Sequence, residues 1–125
     1  MAGLSAAEEQ ATLDARFPTS GATDYIGYSV NGTAEWSGLA RTAVGATGWK
    51  PATLGTAGVP SRKAIAALLT SPAATAVGTV SHFAIFPAST GGTQRTDWQA
   101  FAEAKPLGVG DKLTHAIDAI GITLD

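Results

Sequence analysis

Side chains able to do chemistry are few in this chain, and their spacing does not bring them together. The 125 residues include two histidines, His82 and His115, and no cysteine. A disulfide framework, a thiolate zinc site and a cysteine nucleophile are therefore excluded. Each histidine lies in an alternating stretch that predicts a strand, where a half-buried sheet position accounts for it. On neighbouring strands the pair would approach within ~5 Å, but a third metal ligand would have to come from Asp97 or Asp118, so no metal site is expected. Glu35, Asp97, Glu103 and Asp111 show no spacing that suggests an acid–base pair, and each is expected to be a solvated loop charge. No Gly-x-Ser-x-Gly elbow, phosphate-binding loop or His-Glu-x-x-His helix occurs. Gly108-Val109-Gly110-Asp111-Lys112 precedes a strand rather than a helix, so it lacks the dipole that would hold a phosphate and is expected to be a turn. These features predict a protein that is not an enzyme and needs no cofactor.

The large apolar groups are the other candidates for function. Leu13, Phe17, Trp36, Trp49 and Trp98 are expected to anchor either a core or an interface. The alternative for the three tryptophans is a sugar-binding shelf. Composition narrows the partners: 45% of residues are hydrophobic and only 14% charged, with a net charge of −2. The charged share is well below the ~25% of an average soluble domain, so small neutral residues must cover much of the surface, which suits lasting contact with other subunits. Lysines and arginines are scattered singly, whereas a nucleic-acid binder clusters them against phosphates; no nucleic-acid partner is expected. No stretch approaches the ~20 apolar residues that span a bilayer, so no membrane partner is expected either. The first residues run into Glu8 and Glu9 rather than a basic then apolar segment, so no secretory leader is expected, and folding in a reducing cytoplasm is the simplest reading.

The elements that must position these residues follow from the pattern. Ser5-Ala6-Ala7-Glu8 has the form of a helix capping box, and Glu8 and Glu9 suit the positive end of a helix dipole. Ala6, Gln10, Leu13 and Phe17 share a helical face, and Pro18 ends the helix. Only two large groups lie on that face, so the helix must pack on something or fray. It is taken as an N-terminal arm, residues 1–17, that could order on docking, ahead of a single β domain over residues 18–125. Residues 25–30 alternate as a strand, and Asn31-Gly32 predicts a two-residue hairpin with a partner strand from Thr33 to Trp36. Residues 37–62 are punctuated by Gly38, Gly45, Gly48, Pro51, Gly55, Gly58 and Pro60 and predict ordered loop, with a short strand around 39–44. Residues 63–69 suit helix or strand; their shortness and bounding residues favour strand. Gly78–Phe86 carries large groups on both faces, as a central, doubly covered strand does. A turn over 87–92 leads to an extended run over 94–102, interrupted at Lys105-Pro106. Two last strands, 112–117 and 120–124, are out of phase near Ala119, which predicts a bulge or tight turn. Six or seven short strands and one helix predict a mainly β fold: a compact antiparallel β-sandwich or small barrel.

Several of these residues also carry a family pattern. Trp49, the run Gly78-Thr79-Val80-Ser81-His82-Phe83-Ala84-Ile85-Phe86, Gly91-Gly92, Trp98, Gly110-Asp111-Lys112-Leu113 and the closing Gly121-Ile122-Thr123-Leu124-Asp125 resemble a family of small phage virion structural proteins often labelled tail fibre proteins. The N-terminal helix and the segment from Glu35 to Arg41 resemble it more loosely. The resemblance implies a virion protein, made in the bacterial host cytoplasm, with no catalytic residues to carry over. Projecting fibres use repeats or coiled-coil heptads, and this chain has neither. The preferred expectation is therefore a capsid decoration (cement) protein on the capsid surface. It would bind the major capsid protein as a homo-oligomer, with the trimer as the common form. The alternative is a tail or fibre-base component in contact with tail proteins.

Overall fold

The computed structural model describes residues 5–55 and 60–124. The turn expected at Gly58, residues 1–4 and Asp125 lie outside them. The described residues are mainly β and antiparallel, with one helix among them, α1 (Ala6–Arg16), and eight strands: β1 (Tyr25–Ser29), β2 (Thr42–Ala43), β3 (Ser61–Ala64), β4 (Leu69–Thr70), β5 (Gly78–Phe86), β6 (Gln99–Leu107), β7 (Thr114–His115) and β8 (Gly121–Leu124). They form a four-stranded sheet in the order β2-β1-β5-β6 and two-stranded sheets β3-β8 and β4-β7. None of the three closes on itself, so the barrel alternative is not adopted. The chain divides into two compact units, one of Met1–Ala22, Val44–Leu68 and His115–Asp125, the other of Thr23–Ala43 and Leu69–Thr114.

In the first unit, Ser5 caps α1 by accepting a hydrogen bond from the Glu8 amide at 3.2 Å. This is half of the reciprocal box that Ser5 and Glu8 predict. Leu13 and Phe17 are buried at 3% and 6% exposure, and Phe17 meets Trp49 edge-on with ring centroids 5.5 Å apart. The apolar face of the helix is thus buried within the chain, with Phe17 closing on a large aromatic. β3 pairs with β8 from Ser61↔Leu124 to Ala64↔Gly121, so the ambiguous segment starts as strand. The phase slip before β8 is a tight turn: Asp118 has φ of 69°, and the Ala119 amide bonds the Ala116 carbonyl at 3.0 Å.

The second unit is built on β1 and β5, the two inner strands of the four-stranded sheet. They pair in register from Tyr25↔Phe86 to Ser29↔His82. Phe83 to Phe86 are all buried, as a doubly covered strand requires. Asn31-Gly32 makes a turn but no two-residue hairpin. The Asn31 side-chain oxygen accepts from the Thr33 and Ala34 amides at 2.9 and 3.1 Å. The chain then returns through the Trp36 amide, which bonds the Tyr28 carbonyl at 2.7 Å. Local turn chemistry is satisfied, but β1 takes its partners from β2 and β5 instead.

The extended run begins later than its alternation suggests, at Gln99, and Lys105-Pro106 does not interrupt it. Pro106 pairs with Thr79 inside β6. β6 is an edge strand, so the missing amide hydrogen costs no ladder bond there. Between Val80↔Lys105 and His82↔Ala100 the register shifts, so residues 101–104 of β6 stand opposite Ser81 alone. Such a bulge keeps a free edge from pairing with other chains.

Candidate functional site

Four segments of the second unit converge on one guanidinium. Arg41, just before β2, donates Nε–H to Glu35 Oε2 at 2.8 Å and Nη2–H to Oε1 at 2.9 Å. Its Nη1 donates to the carbonyls of Ala88 and Gly91 in the turn after β5, both at 2.8 Å. The guanidinium carbon also stands 3.7 Å from the centre of the Phe86 ring. A bidentate fork and an aromatic stack are both specific to arginine. β1 makes room for the group: a Cβ on Gly27 would come within 2.4 Å of the Phe86 ring and 3.0 Å of Glu35 Oε2. The Arg41 side chain is 6% exposed and that of Glu35 34%. Glu35 is therefore an anchored ion-pair partner rather than the solvated loop charge expected from its position, and a spacing of six along an irregular loop gave no signal of it. Arg41→Lys keeps the charge but loses the fork and the turn contacts. It is expected to cost ~1.5–3 kcal/mol, the range for hydrogen bonds to charged groups, read as a lower urea midpoint at unchanged slope.

Beside this pair is an open cleft of about 260 Å³, whose lining includes Glu35, Trp36, Leu39, Arg41, Ser89 and Thr90. Trp36 forms its wall. The benzo edge of the indole lies over two glycines: a Cβ would approach Trp36 Cζ2 within 2.2 Å at Gly38 and 2.6 Å at Gly78. Bare backbone at both positions lets the half-buried ring lie flat and fixes where it points. Gly38→Ala is expected to push the indole outward at a modest cost of ~1 kcal/mol, visible as a shift in tryptophan emission with little change in melting temperature.

The residues singled out in the sequence are distributed as follows. Leu13, Phe17 and Trp49 are buried in the first unit, with Trp49 only 1% exposed. Trp36 is half-buried at the cleft. Trp98 is half-buried against Phe86, ring centroids 5.9 Å apart. Because Trp49 is enclosed, the three tryptophans do not make one shelf. His82 shares a 2.7 Å hydrogen bond between Nδ1 and Ser81 Oγ, and His115 is 4% exposed in β7. β5 and β7 lie in different sheets, so the neighbouring-strand arrangement that a histidine metal pair needs is not made.

Sequence reasoning also missed a buried polar cluster in the first unit. The fully enclosed Lys63 reaches Asp14 Oδ1 at 2.6 Å, and the Asp14 side chain is 42% exposed. The same oxygen accepts from the Ala52 amide at 2.8 Å, and Ser61 Oγ donates to the buried Glu9 at 3.0 Å. The bond from Lys63 and then that from Ala52 hold the Asp14 carboxyl below its ordinary value of 3.8. A carboxylate whose folded pKa is depressed stabilises the fold above the unfolded value and loses that contribution as pH falls through the folded one. Wild type is therefore expected to lose more stability than Asp14→Asn as pH drops below about 3.8, with the difference flat above it. Urea midpoints across an acid series measure this.

Compared with known protein families, residues 5–123 match the family described as Podophage GP4 fiber I protein gp80. No curated protein matches the chain.

Proposed function

The chain belongs to the family of the podophage GP4 fiber I protein gp80, and from that premise we propose that it acts without catalysis as a structural protein of the phage fibre apparatus, held on the virion by protein–protein contacts. The observation that carries this reading is the extent of the match, which runs through both compact units and leaves out only the first four and last two residues. The side chains fit a structural task. Glu35 and Arg41, Asp24 and Arg95, and Asp14 and Lys63 are tied to one another across loops, which fixes surface shape. Partners are other subunits: tail proteins, and further copies of the chain in a homo-oligomer such as a trimer.

Capsid decoration is the second reading, with the major capsid protein as partner. The sequence feature that favours it is the absence of heptads and repeats, together with a surface poor in charge that suits broad adhesion of the ~1,600 Å² expected of a standard interface. Copy number separates the two. Quantitative gel analysis of purified virions is expected to give the few copies that a tail carries. Stoichiometry matching the shell subunits would transfer the protein to the capsid, and absence from washed virions would overturn both readings. Native mass spectrometry of the purified chain tests the oligomer.

A further inference from the structure

We propose that the cleft between Trp36 and the Glu35–Arg41 pair binds a neutral pyranose, one ring of a polysaccharide, stacked on Trp36 and hydrogen-bonded through Glu35. This binding role is additional to the structural one and holds wherever on the virion the protein sits.

The chemistry of the cleft selects the ligand. Arg41 is almost enclosed and spends four of its five N–H groups on both Glu35 oxygens and on the Ala88 and Gly91 carbonyls. It has no fork left for a carboxylate or phosphate. Glu35 is the wetter partner, and each of its oxygens, having accepted one bond, retains a second lone pair. The polar feature offered to a ligand is therefore a carboxylate acceptor whose charge Arg41 already balances, which asks for neutral hydroxyl donors. Ser89 and Thr90 on the rim add exposed hydroxyls that donate or accept. The remaining wall is an indole, an amphipathic surface against which an apolar ring face can lie.

A molecule with a face of C–H bonds and a rim of hydroxyls meets both demands, and a pyranose is that molecule. The volume of about 260 Å³ falls just under the ~300–1,000 Å³ of sites for drug-sized ligands, which suits a single ring. The wall is in place before binding: the indole lies against Gly38 and Gly78, and two carbonyls hold Arg41. Such pre-organisation lowers the ordering cost of association.

Saturation-transfer NMR on the full chain tests this, with methyl glycosides of glucose, galactose, mannose, rhamnose and N-acetylglucosamine as probes and glucuronic and sialic acids as anionic counterparts. At least one neutral glycoside is expected to receive saturation, strongest at its ring C–H protons, and the acids none. Trp36→Ala should abolish the transfer by removing the platform. Thr90→Arg, at an exposed rim position, should abolish it by filling the cleft while melting stays unchanged. Saturation of no neutral glycoside, preference for the acids, or transfer that persists in Thr90→Arg would overturn the assignment.

Discussion

Trp49→Ala is expected to remove ~3–5 kcal/mol of stability, the range for deleting a large enclosed aromatic and leaving a cavity. Trp49 is 1% exposed, and its edge-on contact with Phe17 helps to seat α1. The backbone on either side of Trp49 is closely packed and hydrogen-bonded, which opposes collapse into the gap. Gly48 sits so close to the Val44 carbonyl that a Cβ would lie 1.9 Å from it. The amides of Lys50 and Ala66 are bonded to Ala64 and Gly48 carbonyls at 2.8 and 2.6 Å. Against a total stability of ~5–15 kcal/mol for ordinary domains, the loss is a large fraction. Chemical denaturation gives the magnitude, and hydrogen exchange should show the β3 and β8 amides losing protection before those of β1 and β5. Trp98→Ala is expected to cost clearly less, because Trp98 is half-buried against Phe86 rather than enclosed. Equal costs for the two would mean that Trp49 is not the keystone of its unit.

The same packing describes how α1 is held in the folded chain. The sequence shows a short helix with two apolar groups and a polar remainder, which is compatible with an arm that orders on docking. The structure buries Leu13, sets Phe17 against Trp49 and lodges Glu9 and Asp14 against Ser61 and Lys63. Neither acid announces this in sequence. Glu9 suits the helix dipole equally well, and Asp14 and Lys63 are separated by 49 positions. Periodicity sees neighbours along the chain and is silent about such pairs. For the same reason the strands Gly78–Phe86 and Tyr25–Ser29 and the turn at Asp118 were legible, since alternation, glycine and phase record local geometry. The continuation of β6 through Pro106 was not, because proline is tolerated or forbidden according to whether a strand lies at an edge, a tertiary fact. The cleft was legible only in part: Trp36 stood out as a large aromatic, whereas the role of Arg41 depends on carbonyls of a turn nearly fifty residues later.

The buried cation makes the sharpest energetic contrast in the chain. Lys63 has a fully enclosed side chain and a carboxylate 2.6 Å away whose own side chain is 42% exposed. Removing the carboxylate by Asp14→Ala leaves an ammonium group out of water with no counter-charge, and breaking such a pair costs ~3–5 kcal/mol. The lower end applies here, because water reaches the Asp14 side of the pair and the long lysine stem gives its head some reach toward it. Removing the cation instead, by Lys63→Met, keeps the enclosed stem filled with apolar atoms and leaves behind a carboxylate that is already partly hydrated and still bonded to the Ala52 amide. That change is expected to lie near neutrality, since a well-packed hydrophobe often replaces a buried charge without loss. The double variant Asp14→Ala with Lys63→Met should then recover most of the stability that Asp14→Ala alone gives up. A thermal and urea series over the four proteins measures the coupling. If Lys63→Met proved as damaging as Asp14→Ala, the pair itself would be the source of stability, and the desolvated lysine would not be the liability that its burial implies.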